Sequence, residues 1–417
     1  MAEFYRPHTD CRVCGTRLPG PGLDLGTQPL ANALPDTPHA DVPRAPLAMA
    51  ICPVCYLGQL TVVVDPAVLF RHYTYTPSQS ASFTKHLQQL GDTAADMVGV
   101  RGRDSRDPYA HGSSPFAVDI GSNDGLLLRY LRDRHGFRVM GVDPAVEITD
   151  QAIQDGIPTT RSFWSSRVAE MLSFSKGQAD LITATNVFAH LDDIHDFLRG
   201  VEILLHPTRG LAIIEVAYLP ALIRSGSFDL VYHEHMSYWS VQAMFHAVRY
   251  HGLRLTQVAY TEAHGGSVRF FIERGTPHQE APQSLLITEG DMDLAPVNAK
   301  AARARDAFWA FLQSMGPAAG YTAPAKATVF LNYAGAHDAL QYVIDDSPLK
   351  QGKYIPGTGT PIVPSSYLQT RPVTDLVVFA WNLVSDIKSK VAGTSVRRLF
   401  VPFPPPAVID VSPVPAS

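Results

Sequence analysis

The sequence predicts an α/β protein made of a small N-terminal domain, a central Rossmann-like domain and a C-terminal α/β Rossmann-like domain. Two observations predict this class. All four cysteines fall within the first 55 residues, in two Cys-x-x-Cys pairs. From about residue 115 onward, short apolar runs that end in turn residues alternate with stretches of helical spacing, which is typical of a parallel sheet covered by helices.

The length and the positions of proline, glycine and charged residues divide the chain further. A chain of 417 residues exceeds what one hydrophobic core usually organises. We expect a cysteine-bearing domain (1–65), a helical connector (66–114), a central domain (115–278), a bridging helix (279–318) and a C-terminal domain (319–417).

Composition narrows the class of partner. The formal net charge is −5 and there is no basic tract, which disfavours nucleic acid and anionic membranes. The first residues lack an apolar signal core, and no apolar window reaches the length of a membrane span. We therefore expect a cytoplasmic protein that acts on a small molecule, as a monomer or a weak homodimer.

The cysteine pairs predict a metal site. Cys11 and Cys14 form one pair, and Cys52 and Cys55 form the other. Two such pairs can converge tetrahedrally on Zn²⁺, which prefers thiolate ligands, and a four-sulfur site is closed to substrate. The prediction is one structural zinc, with disulfides or a redox pair as the alternatives.

Residues 116–125 predict a cofactor turn. The buried-strand pattern Phe-Ala-Val-Asp-Ile is followed by Gly121-Ser-Asn123-Asp124-Gly125 and a helix. The glycines allow a ligand to approach the backbone closely, and the first amides of the helix can face polar atoms. The turn is neither a dinucleotide fingerprint nor a phosphate-binding loop. It is similar to motif I of class I S-adenosylmethionine (SAM) methyltransferases, which implies the methionine end of SAM beside Gly121 and contacts from Asn123 and Asp124.

The next strands supply further cofactor candidates. Asp143 ends a second strand about twenty residues after the turn, where a carboxylate can accept the ribose hydroxyl protons. Phe163 follows a third short strand and offers a ring face to adenine. Asn186 follows the fourth strand. Since ligands bind at the carboxyl ends of parallel strands, these residues are expected at one edge of the sheet.

The segment from Phe228 to Trp239 holds the candidate chemistry. It contains two histidines, two carboxylates and four aromatic side chains. Histidine can take and return a proton near neutral pH. An extended chain would place His233 and His235 on one face and Tyr232 and Glu234 on the other, whereas a turn would break this alternation. A second metal site and an ordinary polar loop remain alternative interpretations.

With these residues in place, the chain resembles the sugar C-methyltransferase family, bacterial enzymes that methylate nucleotide-linked 4-ketosugars. The resemblance covers nearly the whole chain and depends on the order of several motifs: the cysteine pairs with Gln28-Pro-Leu-Ala-Asn32, Tyr73-Thr-Tyr75-Thr-Pro-Ser-Gln-Ser80, Gly121-Ser-Asn-Asp-Gly125, Asn186-Val-Phe-Ala-His190, Tyr232-His-Glu-His235, His264-Gly-Gly-Ser267, Ala325-Lys326 with Leu331-Asn-Tyr333, Lys350-Gln-Gly352 with Pro356-Gly357, and Ala380-Trp-Asn382.

This resemblance implies the cofactors SAM and zinc, and it implies roles for individual residues. His235 matches the general base that removes the proton beside the ketone, and Tyr75, His190, Tyr232 and Glu234 match polar residues around the sugar. The implied substrate contacts are Tyr75, His233, Tyr238, Lys326, Asn332, Trp381 and Asn382. For His190, a helix-capping role is the alternative. The chain departs from the family pattern before Lys326, where Pro324 replaces a glycine-rich turn and stiffens the backbone.

Three functions remain compatible with the sequence. The first is C-methylation of a nucleotide-linked ketosugar, and the second is O- or N-methylation of another small metabolite. The third is a zinc-ribbon binding protein with a vestigial SAM sheet, which the intact Gly121, Asp143 and Tyr232–His235 segment disfavours. Carbon methylation differs from the second function in needing a base that can generate a carbanion.

Overall fold

A computed structural model describes residues 4–70, 80–104, 114–276, 289–290, 292–314, 318–403 and 405–411. Within these ranges it contains three sheets of four or more strands. The α/β fold class predicted from the sequence is confirmed. No helix in the described ranges combines the length and apolar character needed to cross a lipid bilayer.

The N-terminal domain is built on short antiparallel strands: β1 (Tyr5–Pro7), β2 (Leu23–Pro29), β3 (Arg44–Ile51), β4 (Gly58–Leu60) and β5 (Val62–Val64). Strands β2, β3 and β4 form a sheet, and β1 pairs with β5. A strand from the central domain, β11 (Ser237–Tyr238), continues this sheet beyond β4. The two domains therefore share one sheet close to the predicted base.

The connector contains α1 (Pro66–Phe70) and α2 (Ala81–Asp104). Leu87, Leu90 and Ala94 of α2 are buried in a core shared with the central domain. Gly91 allows a close crossing, because a Cβ there would lie 2.8 Å from the ring of Tyr130.

The central domain is a seven-stranded sheet in the order β12-β13-β10-β9-β6-β7-β8. All neighbours are parallel except β13, which is antiparallel to β10 and β12. The strands are β6 (Phe116–Ile120), β7 (Arg138–Val142), β8 (Thr159–Thr160), β9 (Leu181–Thr185), β10 (Leu211–Ala217), β12 (Leu253–Thr261) and β13 (Ser267–Arg274). The helices are α3 (Leu126–His135), α4 (Val146–Gln154), α5 (Ser166–Lys176), α6 (Ile194–Leu204), α7 (Leu219–Ser225) and α8 (Val241–Val248).

Helix α9 (Ala295–Gln313) leads into the C-terminal domain, whose sheet order is β16-β15-β14-β17-β18-β19 with only β19 antiparallel. Its elements are β14 (Ala319–Tyr321), α10 (Ala325–Tyr333), β15 (Val343–Ile344), β16 (Ile362–Val363), α11 (Tyr367–Thr370), β17 (Asp375–Val378), α12 (Val384–Val391), β18 (Arg398–Val401) and β19 (Ala407–Asp410).

The C-terminal domain packs on the segment that leads to the predicted base. The ring of Phe228 lies 4.6 Å from that of Tyr333 and 5.1 Å from that of Phe403, measured between centroids. Phe228 is fully buried. This aromatic contact fixes the start of the Phe228–Trp239 segment between the central and C-terminal domains.

Candidate active site

The four cysteine sulfurs lie within 4.8 Å of one another. All four cysteines are free of disulfides. The Cys11 and Cys55 sulfurs are 3.4 Å apart, and those of Cys14 and Cys52 are 3.5 Å apart. A tetrahedron with metal–sulfur bonds of about 2.3 Å has edges of about 3.8 Å, so the cluster needs little adjustment to hold Zn²⁺.

Each cysteine pair forms the same kind of turn. In the first, the amide of Gly15 donates to the carbonyl of Cys11 at 2.9 Å; in the second, the amide of Tyr56 donates to the carbonyl of Cys52 at 3.0 Å. Gly15 and Tyr56 both have positive φ, 69° and 60°. Backbone N–H groups also point at the sulfurs of Cys11 and Cys52. Such turns aim two thiolates at one point, as a structural zinc site requires.

The glycine turn after β6 has the geometry of a cofactor turn. Gly121 has φ of 69°, and a Cβ there would lie 3.0 Å from the Val187 side chain. A larger residue would therefore be strained and would also disturb the end of the fourth strand. Gly125, with φ of 72°, starts α3. Asn186, which precedes Val187, also adopts a positive φ of 57°.

Asp143 lies at the same edge of the sheet. Its Oδ2 accepts the Asn123 amide at 3.0 Å, and its Oδ1 accepts the Ala145 amide at 2.9 Å. Burial raises the pKa of Asp143, and these two donors oppose that shift. Asp124 is buried in the turn, whereas Phe163 is 56 % exposed and can offer a ring face to a ligand.

We expect Asp143→Ala to weaken SAM binding by about 1–3 kcal/mol, since a charged acceptor for the ribose hydroxyls is lost. Titration calorimetry with SAM measures this directly. Asp155→Asn, which breaks an exposed ion pair with Arg129 in the same domain, is the matched control and should bind SAM normally. Unchanged affinity in the Asp143 variant would remove this residue from the cofactor site.

The structure brings His235, Tyr232 and His190 together. The amide of His235 donates to the carbonyl of Tyr232 at 2.9 Å, which shows a turn rather than an extended segment. The Tyr232 hydroxyl is consequently 2.7 Å from Nε2 of His235. The His190 ring stacks on the His235 ring, with 5.1 Å between the two centroids. His190 ends a short 3₁₀ turn, Phe188–His190, after β9.

Burial keeps these imidazoles neutral. It lowers the pKa of His190 to about 4. It lowers the pKa of His235 well below 6.5, with the neighbouring His190 and His264 acting in the same direction. Nδ1 of His235 is buried without a hydrogen bond of normal geometry among the described residues, although the Leu230 carbonyl is near enough to raise the pKa of the ring slightly.

Glu234 faces a different partner. Its Oε1 accepts a hydrogen bond from the Asn32 amide at 2.9 Å, so the N-terminal domain orients this carboxyl group. Glu234 is 3 % exposed, and burial raises its pKa. Its second oxygen is buried with no hydrogen-bond partner among the described residues. A carboxyl oxygen without a partner can accept a hydrogen bond from a hydroxyl group of a ligand.

His233 and Tyr238 form hydrogen bonds with backbone carbonyls and none with His190 or His235 among the described residues. Nε2 of His233 is 3.3 Å from the carbonyls of both Ala45 and Pro46, and the residue is 1 % exposed. The Tyr238 hydroxyl donates to the Leu230 carbonyl at 3.1 Å. Both side chains bind backbone, and their contact with substrate stays a prediction.

The pKa values of the buried histidines predict acid sensitivity. Burial lowers the pKa of both His190 and His233 to about 4, whereas an unfolded chain has histidine pKa values of about 6.5. Between these values the unfolded state binds more protons, so the free energy of unfolding falls as pH drops below about 6.5 and is fully retained above it. Denaturant titrations at pH 7.5 and pH 5 test this. A His233→Asn variant should show a shallower pH dependence than wild type, and equal slopes would contradict the assignment.

Charged and aromatic residues of the C-terminal domain meet the central domain at Trp381. The Trp381 indole donates to Asp229 Oδ2 at 3.1 Å. Nζ of Lys326 lies 4.3 Å from the Trp381 ring centroid and 3.0 Å from Asn382 Oδ1. Burial raises the pKa of Asp229 to about 6, with Lys326 opposing the shift. A cleft of about 480 Å³ opens beside these residues, lined also by Arg224 and Gly265.

Asn332, a predicted substrate residue, binds backbone within the C-terminal domain. Nδ2 of Asn332 donates to the carbonyls of Thr328 and Pro356, both at 2.9 Å, which fixes the turn before Gly357. Its contact with substrate stays a prediction. Tyr75 lies outside the described residues.

The structure adds residues that the sequence analysis did not assign. Glu215, fully buried within β10, accepts hydrogen bonds from His86 at 2.7 Å and Arg269 at 2.5 Å. Although burial opposes ionisation, these two partners lower the pKa of Glu215. The His264 ring lies 5.0 Å from the Phe83 ring between centroids and is tilted relative to it, and His264 has a strained φ of 52°. Among these residues, only His264 belongs to a motif identified in the sequence, His264-Gly-Gly-Ser267.

The parallel sheet with its glycine turn after β6 indicates a SAM-dependent methyltransferase, and the four-cysteine cluster indicates a structural zinc site. Three family models match the chain: a zinc binding domain at residues 11–70, a methyltransferase domain at 109–258 and a C-methyltransferase C-terminal domain at 262–404. A similar protein is the C-methyltransferase NovU of Streptomyces niveus, 32% identical over 98% of this chain and 99% of that protein. The chain therefore belongs to the sugar C-methyltransferase family and is a SAM-dependent C-methyltransferase.

Two similar solved structures each cover less than half of this chain. A SAM-dependent methyltransferase of Leishmania major covers 49% of this chain and 80% of its own, with 15% identity and a TM-score of 0.34. A SAM-dependent methyltransferase of Mesorhizobium loti covers 39% of this chain and 92% of its own, with 16% identity and a TM-score of 0.32. Neither likeness bears on substrate or mechanism.

Proposed function

We propose that this enzyme methylates the carbon beside the ketone of a nucleotide-linked 4-ketosugar, through an enolate generated by His235. The observation that carries the proposal is the part-buried Tyr232–His235 hydrogen bond of 2.7 Å, with the ring of His190, which follows the fourth strand, stacked on that of His235. A carbon acid needs a neutral base held in a site that also stabilises an oxyanion. In the proposal, His235 is the base and His190 stabilises the oxyanion.

In the proposed reaction, His235 takes the α-proton and becomes an imidazolium, while the C–H electron pair forms an enolate. The carbon then attacks the methyl group of SAM, the C–S bond breaks, and S-adenosylhomocysteine leaves as a neutral thioether. Imidazolium later releases its proton to solvent. The zinc takes no part, because its four thiolates leave no open position.

The low pKa of His235 is compatible with this role. Burial disfavours an isolated imidazolium, which keeps the base unprotonated at neutral pH. When the proton is transferred, an enolate forms beside the new cation, and each charge stabilises the other in a site of low dielectric. We propose that His190 donates a hydrogen bond to the enolate oxygen, while the Tyr232 hydroxyl, 2.7 Å from Nε2 of His235, orients the base.

The cleft beside Trp381 supports a nucleotide-linked substrate. Arg224 and Trp381 line this cleft, and Arg224 can pair with a diphosphate. Lys326, whose Nζ lies 4.3 Å from the Trp381 ring centroid, adds positive charge behind that ring. Burial lowers the pKa of Lys326, while Asp229 opposes that shift. An anionic ligand would stabilise the charged form further.

Incubation of the enzyme with SAM and a panel of sugar nucleotides, read by mass, tests the substrate class. We expect a mass gain of one methylene with nucleotide-linked 4-ketosugars and none with the corresponding 4-hydroxy sugars, whose α-hydrogens are not acidic. Methylation of an alcohol or amine, with no product from any ketosugar, would support O- or N-methylation instead.

A further inference from the structure

The zinc-binding turns contact the chain beside both candidate catalytic histidines. Arg12 lies inside the first cysteine pair, and its side chain is fully buried. Its Nε donates to Asp192 Oδ1 at 3.1 Å, and its Nη1 donates to the Leu60 carbonyl at 3.2 Å. Asp192 stands two residues after His190. The exposed Arg6 of β1 also pairs with Asp192.

The same turn contacts this segment a second time. Nε2 of His195, at the start of α6, lies 2.9 Å from the carbonyl of Val13, which is also inside the first cysteine pair. The segment from His190 to His195 is thus attached to the first pair at both Asp192 and His195.

The second cysteine pair holds the chain after His235. Strand β4, three residues beyond Cys55, pairs with β11 so that Gln59 is opposite Ser237. The Leu60 amide donates to the Met236 carbonyl at 3.0 Å. The Ser240 hydroxyl donates to the Tyr56 carbonyl at 3.1 Å. These bonds begin one residue after His235.

The sulfur cluster joins these two attachments. Each short sulfur–sulfur contact, Cys11 to Cys55 and Cys14 to Cys52, crosses between the pairs. A metal ion bound there would fix the first pair relative to the second. His190 and His235, whose rings are 5.1 Å apart, come one from each attached segment.

We propose that the zinc-binding turns set the spacing of His190 and His235, with Asp192 as a positioning residue that acts through His190. The inference rests on the proposed function, in which both histidines serve the reaction. A displacement of about 1 Å in a catalytic group can cost about 100-fold in rate, so a rigid attachment beside each histidine has a direct consequence for turnover.

Asp192→Asn tests the proposal, because it keeps the side chain's shape and removes the charge that pairs with the buried Arg12. We expect kcat for the best 4-ketosugar nucleotide of the panel to fall about 10- to 100-fold. Zinc content by metal analysis and the Kd for SAM by calorimetry should stay at wild-type values. Asp155→Asn is the matched control and should retain kcat. A parallel loss of zinc or SAM binding in Asp192→Asn would show a general structural role and overturn the inference.

A double-mutant cycle separates positioning from independent effects. In a His190→Gln background, Asp192→Asn should lower kcat less than about 2-fold, since residues that act as one unit are non-additive. An undiminished effect in that background would overturn the positioning role. If His190→Gln alone leaves kcat unchanged, the fault lies in the proposed role of His190, and a kcat loss in Asp192→Asn would then contradict transmission through that residue.

Discussion

His235→Asn is expected to lower kcat by about 10² to 10⁴, the usual contribution of a positioned general base. Asparagine keeps a polar group near the Tyr232 hydroxyl but cannot take a proton. SAM affinity should change little, because the hydrogen bonds of His235 go to the hydroxyl and the backbone carbonyl of Tyr232, which is not a predicted cofactor residue. Steady-state kinetics with a 4-ketosugar nucleotide measure the effect.

The matched control is His337→Asn, since His337 lies exposed in the C-terminal domain, where its Nδ1 is 2.8 Å from the Gly357 carbonyl. This variant should retain full kcat. A His235 variant that keeps more than about a tenth of the wild-type kcat would exclude His235 as the base.

Cys52→Ser/Cys55→Ser is expected to abolish zinc binding. Wild-type protein should contain about one zinc per chain, and the variant essentially none, because two remaining thiolates cannot form the closed four-sulfur site. The free energy of unfolding should also fall strongly, since metal binding contributes directly to the stability of such small domains. Metal analysis and denaturant titration measure both quantities.

Chelator treatment of the wild-type protein provides an independent test of the zinc prediction. Adding a chelator to the wild-type protein should reproduce the variant's loss of stability, whereas the variant itself should not respond. Full zinc content in the double variant would show that the metal is bound elsewhere.

The strands of the central domain could be predicted because their signals are local. Phe116–Ile120 and Leu181–Thr185 are almost entirely buried, and each is a predominantly apolar run with a turn after it. The three-residue strand Ala319–Tyr321 and the two-residue strand Ile362–Val363 were not predicted. Such short strands depend on pairing with distant neighbours, which a local pattern does not contain. The same applies to Ser237–Tyr238, which joins the sheet of another domain.

In the candidate site, too, some features could be predicted from local sequence and others depend on distant contacts. Gly121 and Asp143 follow strands in the chain, so their meeting at one edge could be predicted from topology. The alternation expected for Tyr232–His235 fails because the segment turns, which brings Tyr232 and His235 to the same side. The contact between Asn32 and Glu234 spans 202 residues, and nothing local predicts it.

Solvent hydrogen exchange tests the central claim most directly. Wild-type enzyme is mixed with S-adenosylhomocysteine and a nucleotide-linked 4-ketosugar in deuterated water, and the substrate's α-position is followed by NMR. Because exchange requires proton removal but no methyl transfer, we expect deuterium to enter at the carbon that SAM would methylate, and His235→Asn to stop it. Exchange at the wild-type rate in the His235 variant would contradict the assigned base, and no exchange with any ketosugar in wild-type enzyme would contradict the enolate mechanism itself.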